Sequence, residues 1–267
     1  MLRKTTSSSL PLHEAFLISS PDCDMESLVA TVGGGGKTTL LFSLALEREK
    51  FQSTATPSGV SVLTTTTRFT IPSFGERIPI VLSTELQTVS EEILNVSQQG
   101  NLTVIIGSEH GKRKRINGIE IDWPKKILML ETVNFVGVEA DGSAGRPFKA
   151  PATHEPVIPI DATHVLAVVG VQVLGRPIDN RNVHRPDEIR NIVGCKDHVD
   201  AEVVASVLVH QNGARKYVDS NTRFIPVVTH AMQNLQGVLE IVDACHQVGI
   251  ERIVAYDASS NFIQVFQ

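Results

Sequence analysis

Residues 31–38 read Thr-Val-Gly-Gly-Gly-Gly-Lys-Thr, which fits the spacing G-x-x-x-x-G-K-[ST] except that Thr31 stands at the first glycine position. Glycines let successive backbone N–H groups turn inward around phosphate oxygens, at φ values that other residues avoid. A helix opening at Lys37, Thr38 and Thr39 would add the partial positive charge of its N-terminus. In that arrangement Gly33, Gly34, Gly35 and Gly36 cradle the phosphates of ATP or GTP. Lys37 reaches the β- and γ-phosphates, and the Thr38 hydroxyl ligates Mg²⁺. The competing reading is a glycine turn from strand to helix with an incidental lysine, but a plain turn needs one or two glycines, and four are costly to order. In the empty loop the lysine head group is expected to face solvent.

A second group of candidate residues closes an apolar run at 136–145, VGVEADGSAG. Alternation along a strand puts Glu139 and Asp141 on one face, at the carboxyl end where ligands sit in open α/β sheets. Asp141 before Gly142 is expected to ligate Mg²⁺ with Thr38, directly or through water, or else to end the strand in a solvated turn. Glu139 would orient a water or pair with a lysine. Lys37, Asp141 and Glu139 are thus the candidate catalytic residues. In TTTTRF (64–69), Thr65 and Thr66 could touch the γ-phosphate or a Mg²⁺-bound water, or be there only because threonine favours strands. The proline-rich stretch 145–159 gathers Arg146, Lys149, His154 and Glu155. Prolines lower the entropy cost of holding such groups in place. The two cations would hold phosphate or an anionic partner and His154–Glu155 would do acid–base work, unless the stretch is simply a polar exposed loop.

The elements that must position these residues follow from periodicity. Short β-branched runs at 27–32, 60–67, 102–107, 134–142, 164–171, 224–228 and 252–256 predict strands. Helical spacing predicts helices at 38–50, 84–96, 123–131 and 236–249. Leu10, Leu12, Ala15, Phe16 and Ile18 suggest a short helix within about 10–20. Near-continuous apolar strands alternating with helices predict an α/β fold, P-loop NTPase-like, with a mostly parallel sheet covered by helices on both faces. The proline-rich stretch is too apolar for a disordered linker and is expected to wrap a site or cover a sheet edge. A single domain over 1–267 is expected, with C-terminal helical additions and no visible boundary.

Composition narrows the function classes. Hydrophobic residues are 42% and charged residues 20% of the 267, ordinary values for a globular chain. A net charge of −5 argues against a nucleic-acid partner, and no apolar run approaches the roughly 20 residues of a membrane span. Three dispersed cysteines without a CxxC pair fit a reducing, cytoplasmic setting rather than a disulfide framework. The basic, hydroxyl-rich N-terminus has a transit-peptide flavour that Glu14 interrupts. The basic run 111–115 reads as a solvated face or as a docking patch for an acidic protein.

GGGGKTT, the TTTT strand end, EADGSAGRPFKAPATHEPVIP, VVGVQVLGRPI and VHRPDE occur in the order found in the selenium-dependent molybdenum hydroxylase accessory family, called YqeC-like, which the chain resembles over about residues 10 to 255. The resemblance implies a P-loop protein acting in maturation of selenium-containing molybdenum hydroxylases, with such a hydroxylase or its maturation proteins as partner. It carries over to Gly33–Gly36, Lys37, Thr38, Glu139, Asp141, Lys149, His154 and Glu155. Gln172 stands where family members tend to have an acid. Thr229, His230 and Met232 replace residues of the Asn-Lys-x-Asp signature by which GTPases read guanine, so base preference stays open. Three functions are compatible with these residues: a Mg²⁺-dependent NTPase serving as maturation factor, a small-molecule kinase on the same loop, and a non-catalytic nucleotide-binding scaffold.

Overall fold

The computed structural model describes residues 10–18, 27–51, 59–75, 77–100, 102–110 and 115–267. Cys23, the N-terminal basic segment and all of the 111–115 run except Arg115 lie outside them.

Eleven strands and seven α-helices make up the described chain, and each predicted strand and helix is present. The strands are β1 (Ser27–Gly33), β2 (Val60–Thr65), β3 (Arg68–Thr70), β4 (Ile80–Leu82), β5 (Thr103–Gly107), β6 (Arg115–Asn117), β7 (Val133–Glu139), β8 (His164–Gly170), β9 (Arg223–Thr229), β10 (Ile253–Asp257) and β11 (Phe262–Phe266). The helices are α1 (Leu12–Ala15), α2 (Lys37–Phe51), α3 (Leu86–Gln98), α4 (Trp123–Leu128), α5 (Pro186–Val193), α6 (Ala201–Val209) and α7 (Leu235–Gln247).

Nine strands form one sheet in the order β11-β10-β9-β8-β1-β7-β2-β5-β4. Every pairing is parallel except the last, β10 with β11. β1 therefore sits centrally between β7 and β8, and its exit toward the glycine loop is flanked by the strand that carries the acids. The register sets Thr31 level with Glu139, and Thr65 level with Glu139 from the other side. All the candidate groups thereby reach one sheet edge, the carboxyl end of the strands.

Alternation along β1 divides the core. Leu28, Ala30 and Val32 point into a cluster with Val136 and Val138, covered by residues of α3, α4, α5, α6 and α7 such as Ile93, Ile127, Ile189, Val204 and Ile241. Val29 points the other way, to Leu40, Leu44, Phe135 and Leu166, where α1 and α2 lie. Strands covered on both faces need apolar residues at every position, which is why β8 is buried throughout. The N-terminal helix is a single turn, and Leu12, Ala15, Phe16 and Ile18 are buried as its apolar face suggested.

β3 and β6 form a separate antiparallel ribbon with Phe69 opposite Ile116. These two side chains are buried in the α2-side core, at 5% and 0% exposure. Period-2 alternation then puts Arg68, Thr70 and Arg115 on the opposite ribbon face. Periodicity did not expose this ribbon, because three-residue strands are too short to show alternation; the same holds for β4. β11 and helices α5 and α6 also went unread.

Truncating the ribbon's anchor should be costly: Ile116→Ala is expected to lower stability by about 2–5 kcal/mol in a denaturant titration, because the cavity lies in a region that can only partly collapse.

Candidate functional site

The glycine loop is held by close backbone approaches on two sides. Gly33 has φ +91°, and a Cβ there would lie 2.3 Å from the Val168 carbonyl oxygen of β8. A Cβ on Gly34 would lie 2.4 Å from the Arg146 carbonyl oxygen, in the proline-rich segment. No side chain fits either place. The Gly34 N–H donates to Val168 O at 2.9 Å, and the Thr229 hydroxyl at the end of β9 donates to the Gly35 carbonyl. Thr31, the odd residue in the motif, is a fully buried strand residue and lies below the loop. The proline-rich segment does wrap a site: Pro147 O accepts from Gly170 N, and Val157 N donates to Ala140 O.

Lys37 opens α2 and points back under the loop. Its Nζ donates to Gly33 O at 2.6 Å and lies 3.2 Å from Asp141 Oδ1 and 3.8 Å from Glu139 Oε1. With 3% exposure it is buried, contrary to the expected solvent-facing head group. The two carboxylates explain the difference by offering a buried position that water cannot better. Burial works to lower the Lys37 pKa, but Asp141 and then Glu139 outweigh it and leave it raised.

The two acids divide their work in a way that alternation alone does not specify. Glu139, not Asp141, meets the Thr38 hydroxyl, which donates to its Oε2 at 2.5 Å. Asp141 lies two residues further along, beneath the loop. Its Oδ2 accepts the Gly33 N–H at 3.1 Å and faces Lys149 Nζ at 3.1 Å. The Thr38 hydroxyl is thus engaged by Glu139, while the glycine loop and the two lysines surround the Asp141 carboxylate. Burial raises the Glu139 pKa, against the opposing effects of Lys37 and Thr38.

Lys149, Glu155 and Arg185 continue this chain of charges. Lys149 Nζ lies 2.5 Å from Glu155 Oε2 and donates to Gly142 O at 2.8 Å, and Glu155 Oε1 accepts from Arg185 at 2.8 Å. Burial works to raise the Glu155 pKa, but Lys149 and Arg185 hold it below the usual value. Lys149 is consequently a structural cation rather than one free to meet phosphate. Arg146 donates through Nε to Asn180 O at 2.9 Å and pairs with no carboxylate among the described residues. Thr65 donates to Glu139 O at 2.7 Å and Thr66 to Val157 O at 2.6 Å, so both hydroxyls secure backbone beside the site.

Two cavities flank the loop. A cleft of about 680 Å³ is lined by Lys37, Thr38, Glu139, His154 and Glu155 among the expected residues, and by Arg68, Arg115 and His184, which sequence reasoning did not single out. A smaller one of about 170 Å³ lies between the loop and the ends of β9 and β10, against Thr229, His230, Tyr256 and Ser259. Both are bounded by Gly36 and Thr39. Arg68 directly follows the threonine run, the one signal that pointed to it.

Fold and loop together define a P-loop NTPase-like α/β protein. The chain belongs to the YqeC family: the family model described as YqeC protein matches residues 29–187, from β1 through the proline-rich segment to α5. It is 30% identical over 234 residues to the uncharacterized protein YqeC of Escherichia coli (strain K12), covering 85% of this chain and 86% of the relative. Membership supports the accessory-protein theme of that family. No solved structure matches. No described helix is long and apolar enough to cross a membrane.

Removing the inner cation tests the charge chain. Lys149→Met should cost about 3–5 kcal/mol, since Asp141 and Glu155 stay buried without it; urea titration reads this directly. Glu155→Gln should be less stable than the parent at neutral pH. Because the folded-state pKa is depressed, that advantage is full above the ordinary carboxyl pKa of about 4.3 and is lost as pH falls through the lower folded value. The two stability curves should therefore converge in acid.

Proposed function

We propose that this chain binds a Mg²⁺–nucleoside triphosphate across its glycine loop and hydrolyses it while serving maturation of a selenium-dependent molybdenum hydroxylase. The carrying observation is the convergence of Lys37, Thr38 and Glu139 at the N-terminus of a 15-residue helix, directly behind Gly33–Gly36. The helix end and the loop N–H groups favour an anion there. Lys37, already fully charged, turns from Gly33 O to the β- and γ-phosphates. The two cavities meeting at Gly36 and Thr39 suit a nucleotide laid over the loop, with its base in the smaller space beside Thr229 and Ser259 and its phosphates entering the larger.

The Thr38 hydroxyl and Glu139 carboxylate are hard oxygen donors and fit Mg²⁺. When bound, the ion neutralises charge developing on the transferring phosphoryl group. Glu139 then holds the ion side of the site, directly or through water, and Asp141 keeps the loop and Lys37 in place through Gly33 N. The role in hydroxylase maturation rests on the family, whose members the EADG…KAP…HEP block resembles, and on a switch-like use of hydrolysis that a partner reads.

Lys37→Ala should weaken triphosphate binding about 10- to 100-fold, the loss of a charge-assisted contact of roughly 1.5–3 kcal/mol. Its folding needs checking by thermal unfolding, because Asp141 loses a partner. Glu139→Gln should bind nucleotide without Mg²⁺ much as the parent does, yet lose single-turnover hydrolysis by orders of magnitude. Parent-like hydrolysis in Glu139→Gln at saturating Mg²⁺ would sink the assignment of the ion side to Glu139.

A further inference from the structure

The cleft beyond Lys37 is larger than a phosphate chain and one ion require, falling in the range that encloses whole small molecules. Its charges are unequal. Glu139 and Glu155 on its wall are already engaged, one by Thr38 and Lys37, the other by Lys149 and Arg185. Arg68 and Arg115 are not: among the described residues no carboxylate pairs with either guanidinium. They stand on the ribbon face opposite the Phe69–Ile116 anchor, on neighbouring strands, with Thr70 directly across from Arg115. A ribbon fastened into the core by its other face thus presents two unneutralised guanidiniums, with Thr70 across from one and on the same strand as the other, to a cleft that also holds Lys37.

We propose that this cleft holds a second ligand, a small molecule bearing a phosphate monoester, with the phosphate held by Arg68 and Arg115 and the remainder lying toward His154 and His184. Guanidinium forks match phosphate oxygens in pairs, and two of them balance a dianion. Burial lowers the His184 pKa, as do Lys149 and Arg185, so that ring presents a neutral hydrogen-bonding group to the uncharged part of such a molecule. The inference rests on the nucleotide reading only for placing a γ-phosphate beside this ligand. It makes the site one for two ligands rather than for a nucleotide alone.

The test uses the full chain and two separate titrations. The first measures a Mg²⁺-bound, non-hydrolysable triphosphate analogue on the parent and on the double variant Arg68→Ala/Arg115→Ala. The second measures inorganic phosphate on the same proteins saturated with that analogue. The parent should bind phosphate saturably, and the double variant should bind it at least tenfold more weakly while keeping its analogue affinity within about twofold. Arg68→Lys/Arg115→Lys, which keeps charge but loses the forks, should fall between. No saturable phosphate binding to the loaded parent, or equal binding in parent and double variant, overturns the second site. A double variant that loses analogue affinity overturns it too, since the arginines would then clamp the triphosphate itself. Failure of the analogue to bind the parent falsifies the nucleotide reading alone; the phosphate difference between parent and double variant still decides the arginine site, because the glycine loop is the same in both.

Discussion

Everything around the glycine loop depends on the Asp141 carboxylate. It is 1% exposed and stands where the loop N–H of Gly33, the Lys37 ammonium and the Lys149 ammonium meet. A buried carboxylate of this kind is tolerable only among donors and opposite charges: Oδ2 has the Gly33 N–H and Lys149, while Oδ1 has the Lys37 ammonium beside it but no hydrogen bond. The same group that holds the loop closed from below also fixes the position of Lys37, and ties both to the proline-rich segment. From there the alternating charges run outward through Glu155 to Arg185, the residue just before α5. Three cations and three carboxylates, counting Glu139, neutralise one another within the chain. Loop, strand end and following helix thus form one electrostatic unit whose members are spread over some 150 residues of sequence.

That spread explains what the sequence could and could not convey. The strands were legible because burial on both faces makes each an unbroken β-branched run, and because the glycine loop marks where the central strand ends. The position of Glu139 and Asp141 on one face followed from alternation. The division of labour between them did not. It depends on the β1–β7 register and on Lys149 arriving from another segment, neither of which leaves a local trace. Lys149 looked like a free cation because its spacing from Asp141 and Glu155 matches no helix or strand pairing; in space both carboxylates reach its ammonium. Thr65 and Thr66 carried a hydroxyl signal that is spent on backbone. Arg68 and Arg115 were the opposite case, hidden in a strand too short for periodicity and in a basic run that looked like ordinary solvated surface.

The α5–α6 region shows a further limit of pattern reading. Its helices are 8 and 9 residues long, and the first follows a left-handed residue, Arg185, whose side chain belongs to the charge chain rather than to a helix cap. α6 starts on a cap that is easy to name afterwards, Asp200 accepting from Val203 N at 2.7 Å. Such short helices are stable through the core they join, here Ile189, Val203, Val204 and Leu208, rather than through propensity.

The approach of the Arg146 carbonyl to Gly34 has one more consequence. Between Asp141, pinned below the loop, and Lys149, pinned to Asp141, the backbone makes a closed excursion that brings residues 146 and 147 against the glycines and then returns. Both ends of this excursion are anchored to the same carboxylate, so its contour length is fixed. At its crest, Ala144 and Gly145 are exposed, but both have positive φ, 50° and 74°, which favours glycine and penalises most side chains even in open space. Adding or deleting a residue is constrained as well: the slack has nowhere to go except into the carbonyls that abut Gly34 or into the Lys149 ammonium. The strap is therefore constrained in length as well as in backbone conformation, and the glycine loop inherits its shape from that count as much as from its own four glycines.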